Sequence, residues 1–331
     1  PPPPRRVGGA HHSHRTPGPH PARGPAPNKP WHYQGQVQGV LDAKLVTWGR
    51  TLFDAGDVAA WPLAPGSAGY AADIVADYKA DYGSAGVNSL PIYVVPATTL
   101  DTSISVSPGC ANFRQDTGDH APVPDYASLN GSSDNPLVVY QPSTGTDWEF
   151  WQAAKAVTGG YSACWGGQLK VKASGGIFPA PYGMSATGIS YLATAITEAD
   201  VASGSIHHAL AIQLPRCDGF TYPADRGDCA EDAGQPPEGQ WFRLPANLPV
   251  PPGLAPFARM VMRALQRYGA VVTDRAGAVM VVAEQSSDWS AEGGTGTDPI
   301  TASWTGLSEY KVIAGLPWGD LQAVTPPHLS G

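Results

Sequence analysis

The sequence predicts a mainly β protein: a jelly-roll-like β-sandwich with one long amphipathic helix and a disordered or extended Pro-rich N-terminus. Three observations carry that expectation. Short runs that are apolar or alternate in polarity recur between Gly, Pro and Asp, the pattern of strands separated by turns. Glycine and proline, at 39 and 34 of 331 residues, exceed ordinary usage, while charged residues make up only 15%. One segment, 257–268, carries apolar residues at clear helical spacing.

Residues 1–30 hold Pro, Gly, His and Arg with almost no apolar side chains, so burial cannot offset the entropy of ordering them. They are predicted to form an extension. Residues 31–331 then make one β-rich domain, with 116–136 as the place where a sub-boundary would fall. His11, His12, His14 and His20 read as solvated low-complexity sequence rather than a metal site, because a flexible segment holds ligands poorly. Ser67 is placed to cap a helix bearing Tyr70, Ile74, Tyr78 and Tyr82, with Gly83 ending it. Strands are predicted over 90–95, 104–106, 137–140, 148–151, 168–171, 209–214 and 241–244. Thr197 and Asp200 mark the capped start of a short helix ending near Gly204. Phe257, Met260, Val261, Ala264, Leu265 and Tyr268 form the apolar stripe of the long helix, and Gly269 closes it. Strands at 270–273 and 278–283, joined through Asp274 to Gly277, are predicted to pair as a hairpin.

A formal net charge of −8 with scattered basic residues argues against a nucleic-acid or anionic-membrane partner. No run approaches the roughly 18 apolar residues of a membrane span, and no signal peptide begins at Pro1, as in a processed chain. Cys110, Cys164, Cys217 and Cys229 include no C-x-x-C pair. Two disulfides are expected. Cys217 with Cys229 is the natural local pair, leaving Cys110 with Cys164, although spacing alone admits three connectivities. That usage points to an oxidising compartment and a secreted, extracellular protein. Motifs of serine hydrolases, zincins, P-loop NTPases and dinucleotide-binding folds are absent, so no cofactor and no metal is expected.

The chemistry centres on the run Asp147-Trp148-Glu149-Phe150-Trp151. On a strand, Asp147 and Glu149 project to one face roughly 6–7 Å apart, within the range that glycosidases use. Burial and the neighbouring Asp147 would raise Glu149, making it the expected acid and Asp147 the second carboxylate. The competing reading is an exposed acidic edge. The third acid that retaining jelly-roll glycosidases carry four residues further on is absent, because Ala153 stands there. His207, beside His208 at a strand mouth, is a candidate base or orienting group, against a histidine satisfied by backbone. Trp151, Trp165 and Tyr182 are candidate sugar platforms, against ordinary core packing. Asp225, Arg226 and Asp228, inside the 217–229 loop, are candidate ligand contacts. Arg243 is expected to pair with a carboxylate such as Asp274 or Asp225, a structural pair weighed against substrate binding by Arg243 and Asp274.

Between Pro136 and Leu321 the chain resembles a family of uncharacterised secreted bacterial proteins. The resemblance is carried, in order, by the 147–151 run, by Ser185-Ala186-Thr187-Gly188, and by Gly204-Ser205-Ile206-His207-His208-Ala209-Leu210. It continues through Tyr222-Pro223-Ala224-Asp225-Arg226, Glu238-Gly239-Gln240-Trp241-Phe242-Arg243-Leu244 and Arg267-Tyr268-Gly269-Ala270-Val271-Val272-Thr273-Asp274. It implies an extracellular β-sandwich domain and supplies no catalytic assignment.

These readings combine into a secreted carbohydrate-active protein, a glycoside hydrolase using Glu149 and Asp147, whose partner is a polysaccharide or cell-surface glycan. The first alternative is a non-catalytic surface, carbohydrate-binding or filament-forming protein that self-assembles through its N-terminal extension. The second is a polysaccharide lyase, in which His207 or a tyrosine removes a proton and Arg243 or Arg226 binds a uronate.

Overall fold

The computed structural model of the chain describes residues 41–44, 51–81, 83–110, 120–157, 159–229, 233–285 and 287–328. The N-terminal extension and its four histidines lie outside these. The chain divides into Pro1–Gln34 and Gly35–Gly331, and the second unit holds all the described residues. Among the described residues no helix is long and apolar enough to cross a membrane.

The protein is mostly β. Its strands are β1 (Ala85–Leu90), β2 (Ile92–Val94), β3 (Thr102–Val106), β4 (His120–Ala121), β5 (Leu137–Gln141), β6 (Thr146–Trp151) and β7 (Ala154–Lys155). They continue as β8 (Tyr161–Ala163), β9 (Trp165–Lys170), β10 (Leu210–Leu214), β11 (Trp241–Arg243), β12 (Ala270–Arg275), β13 (Val279–Glu284) and β14 (Gln322–Val324). Three sheets result: a six-stranded one ordered β1-β13-β10-β12-β11-β14, and four-stranded ones ordered β2-β5-β6-β9 and β4-β3-β8-β7.

Strand alternation builds three layers of core from this order. In β10, Leu210, Ile212 and Leu214 point with Val272, Val279 and Val281 toward the helix Pro256–Arg267, whose Phe257, Val261 and Leu265 complete the first core. Ala211, Val271 and Val282 point the other way, into a second core shared with Ile92, Val94, Val138 and Tyr140 of the β2-β5-β6-β9 sheet. Tyr93, Leu137, Val139, Trp148 and Phe150 leave that sheet's far face and meet Ile104, Tyr161 and Ala163 of the third sheet. The middle sheet is therefore buried on both faces, which explains why β5 and β6 read as near-continuous buried runs.

Several expectations are corrected. β1 with β13, β10 with β12, β2 with β5 and β3 with β8 all pair in parallel, unlike the antiparallel ladders of a jelly roll. β12 and β13 do not form a hairpin, because β10 lies between them, parallel to one and antiparallel to the other. The predicted strand over 90–95 is two strands in different sheets, broken at Pro91, which has no N–H to give to a ladder. Ser67 is inside its helix. Gly66, at φ 81°, occupies the N-cap, and the Ser67 hydroxyl instead accepts from Ala323 N at 2.9 Å. The expected long helix is the twelve-residue Pro256–Arg267, shorter than the fourteen-residue Ser67–Ala80. Thr197 and Asp200 do form a reciprocal capping box at the helix Glu198–Ser203.

Two disulfides hold the loops, Cys110 to Cys164 between the ends of β3 and β8, and Cys217 to Cys229 after β10. A buried cation ties the chain near residue 44 to the six-stranded sheet. Lys44 Nζ donates to Glu284 Oε1 at 2.5 Å and to Glu198 Oε2 at 3.1 Å, and also to Glu292.

Among the described residues Trp241 is the largest wholly buried side chain, stacked on Phe53 at 5.7 Å, edge-on to Trp61 at 5.0 Å, with its indole N–H on Tyr268 O at 3.2 Å. Trp241→Ala should cost about 3–5 kcal/mol in denaturant unfolding, the range for emptying an aromatic site in a core. A loss within measurement error would contradict the packing described for the second core.

Candidate functional site

A cleft of 600 Å³ opens where the six-stranded sheet meets the β2-β5-β6-β9 sheet, and its wall includes Trp151, Trp165, Tyr191, Arg226, Asp228 and Asp274. Each comes from a different local device. Trp151 ends β6 opposite Trp165, which begins β9, so antiparallel register sets the two indoles side by side. Their N–H groups are anchored, Trp151 on Asp134 Oδ1 at 3.1 Å and Trp165 on Pro181 O at 2.9 Å. Tyr182 stacks behind Trp165 with ring centroids 6.3 Å apart and so supports that platform. Arg226 and Asp228 come from the loop closed by the Cys217 disulfide, and Arg226 reaches back to Ser185 O at 2.9 Å. Asp225 lies beside it, 3.4 Å from the guanidinium.

Asp274, on β12, is the best-organised acid of the wall. Its oxygens accept from Arg275 N at 2.8 Å, Ala186 N at 3.3 Å and Tyr191 Oη at 3.4 Å. Behind it runs a relay across the sheet: Asn88 Nδ2 donates to Gln213 Oε1 at 2.7 Å, and Gln213 Nε2 donates to Tyr191 Oη at 3.0 Å. Burial, and then the charge of Asp228, push Asp274 up to about 6 against the lowering effect of the backbone N–H groups. Glu238, buried beside it, is pushed to about 8 by burial and by Asp228, although its Oε2 accepts from Asp228 N at 2.9 Å. Oxygens of Asp228, Glu238 and Asp274 lie within 4.8 Å of one another. Such an all-carboxylate trio either shares protons or holds a hard cation such as Ca²⁺.

Asp147 and Glu149 share one face of β6, but that face is the second core. Both are fully buried, and neither lines the cleft. Ser190 Oγ lies 2.9 Å from Asp147 Oδ2 and 2.9 Å from Glu149 Oε1. One hydroxyl proton cannot serve two carboxylates, so a further proton resides on the pair. Glu149 Oε1 also accepts from Tyr191 N at 2.6 Å and Leu192 N at 3.2 Å. These bonds hold Glu149 down to about 7 against burial, whereas burial and the charge of Glu149 drive Asp147 well above the usual carboxylate range. The expected roles are thus reversed, Asp147 being the protonated partner and Glu149 the one that carries charge. Through Tyr191, whose backbone holds Glu149 and whose phenol meets Asp274, the pair underlies the cleft without facing it.

His207 and Arg243 lie elsewhere. His207 is exposed in a separate groove, bonded to Ser205 Oγ at 2.8 Å and Tyr268 Oη at 3.3 Å, while His208 meets Asp200 Oδ2 at 3.3 Å. Among the described residues Arg243 pairs with no carboxylate. Its Nη1 donates to the carbonyls of Val58, Ala59 and Trp61 at 2.6, 2.9 and 3.0 Å, closing the end of the Val58–Ala60 turn, where free carbonyls need donors. The sequence reading missed Asn88, Gln213, Tyr191 and Glu238 as parts of the site. Glu238 carried the one local signal, an acid just ahead of the buried β11.

Compared with known proteins, the chain matches no family model, no curated protein and no solved structure.

The buried pair sets up a linkage test. Glu149 ionises near 4.5 when unfolded and about 7 when folded, so the folded state binds this proton more tightly, and stability falls as pH rises between those values. The decline from this group is at most about 3 kcal/mol. Glu149→Gln should remove it, so the variant gains on the wild type between pH 5 and pH 8 in denaturant melts. Parallel pH profiles would refute the raised ionisation of Glu149.

Proposed function

We propose that this is a secreted glycan-active protein whose aromatic cleft hydrolyses a glycosidic bond. The observation carrying the proposal is the presence, in one cleft wall, of two anchored indoles and a carboxyl group held near 6. Trp151 and Trp165 offer flat faces to the apolar side of a sugar ring. Asp274 is partly protonated near neutral pH and reachable from the cleft, as a general acid must be. Asp228, exposed across from it, is the second carboxylate, and their oxygens lie within the 4.8 Å separation of the carboxylate trio. A pair this close is nearer the roughly 5–5.5 Å of enzymes that retain anomeric configuration through a covalent intermediate than the roughly 6.5–9.5 Å of inverting ones. In this mechanism Asp274 protonates the leaving oxygen while Asp228 attacks the anomeric carbon. Asp274, now a carboxylate, then takes a proton from the water that releases the sugar. Arg226 orients hydroxyl groups of the substrate. Two disulfides fit the extracellular setting.

A lyase draws less support. Arg226 reaches the cleft, but burial raises Tyr191 well above the ordinary phenol value, which makes it a poor base, and neither His207 nor Arg243 lines this cleft.

On a polysaccharide panel, Asp274→Asn should lower kcat by about 10²-fold or more with little change in oligosaccharide binding, the scale of a lost general acid. Trp165→Ala should weaken binding by about 1 kcal/mol. Turnover unaltered in Asp274→Asn and Asp228→Asn would end the hydrolase assignment. Binding without turnover in the wild type would leave a lectin-like role.

A further inference from the structure

The helix Pro256–Arg267 is buried almost all the way round, and its exposed positions are Arg259, Arg263 and Arg267. Four residues make slightly more than one turn, so the three guanidinium groups stand in a row along one face at about 6 Å of rise per step. All three line a groove of 760 Å³, distinct from the aromatic cleft, whose other contributors include Ser205, His207 and Ser303. Among the described residues no Asp or Glu lines it. In a chain with 28 acidic and 20 basic residues, that is a local reversal of sign.

The arginines are held in place without being neutralised. Arg259 Nη1 donates to Leu254 O at 2.6 Å, Arg263 Nη1 to Gln266 Oε1 at 3.3 Å, and Arg267 stands 5.5 Å over the Tyr268 ring. Among the described residues none of the three forms an ion pair. A planar guanidinium on a fixed stem is a ready partner for a carboxylate, which it grips with two parallel N–H groups.

We propose that this groove binds an extended acidic polysaccharide of the uronate type, with consecutive carboxylates seated on Arg259, Arg263 and Arg267. A polyuronate carries one carboxylate on every sugar, and the arginine row offers a guanidinium about every 6 Å along the helix. Ser205 and Ser303 offer hydroxyl oxygens to the ring hydroxyls, while His207, both of whose nitrogens are bonded to Ser205 Oγ and Tyr268 Oη, holds Ser205 in place. Nucleic acid fits less well, since Tyr268, the groove's aromatic ring, is buried and covered by Arg267 and His207, leaving no face for a base. The choice of a glycan rests in part on the proposed function of the cleft, whereas the groove's affinity for anions stands without it.

The test uses the full chain and calorimetric titration with oligogalacturonates of defined length. Wild-type binding should weaken steadily as salt rises, and the triple variant Arg259→Gln/Arg263→Gln/Arg267→Gln should bind at least tenfold more weakly. These side chains are exposed, so unchanged circular dichroism and melting should accompany the loss. Trp165→Ala should bind oligouronate as the wild type does, which separates the groove from the cleft. Equal affinity in the triple variant overturns the proposal, as does preference for single-stranded DNA or phosphatidylserine vesicles over oligouronate. A triple variant that loses uronate binding yet cleaves a neutral glycan normally supports the groove, while a wild type that binds uronate and cleaves nothing defeats only the cleft reading.

Discussion

A sheet buried on both faces leaves no solvent for an acid to point into, and β6 nevertheless sends two acids into the interior. That constraint organises much of the molecule. Asp147 and Glu149 tolerate their position by keeping a proton between them and by recruiting the Ser190 hydroxyl and two backbone N–H groups. Those N–H groups belong to Tyr191 and Leu192, so the segment that crosses the second core is fixed by the pair it satisfies. Tyr191 in turn sets the position of Asp274 at the cleft wall. The buried pair is thus a positioning device, and the carboxylates that line the cleft are others.

What the sequence made legible is what depends on neighbours in the chain. The period of 257–265, the capping box at Thr197 and the alternation in β6 all express local backbone geometry, and all three are realised. Pairing partners are another matter. Nothing local distinguishes a 270–283 hairpin from two strands with β10 inserted between them, because the insertion is decided by burial of Leu210, Ala211 and Ile212 against both. The same limit explains Arg243. Its need for a partner was readable, but the carbonyls that meet it come from a turn about 180 residues earlier in the chain. The same-face geometry of Asp147 and Glu149 was readable too, whereas the face they share was not. The arginine row was present as an i, i+4, i+8 spacing and escaped a reading that followed only apolar residues along that helix.

The surface divides its chemistry. The aromatic cleft gathers acids around rings, and the groove along Pro256–Arg267 gathers cations around hydroxyl groups. On a net negative chain the groove is thus a place of opposite sign to the acids of the cleft.

The place of β1 has a temporal consequence. Its hydrogen-bonding neighbour in the sheet is β13, so residues 85–90 have no ladder to join until residues 279–284 exist. A ribosome delivers the chain in order, and for most of synthesis β1 is an orphan edge without a mate. High contact order of this kind slows closure of the sheet, whose first strand waits on the final segments. The Cys110–Cys164 bridge, which joins only early segments, can form ahead of that closure and keep the outer sheet together while the six-stranded one waits.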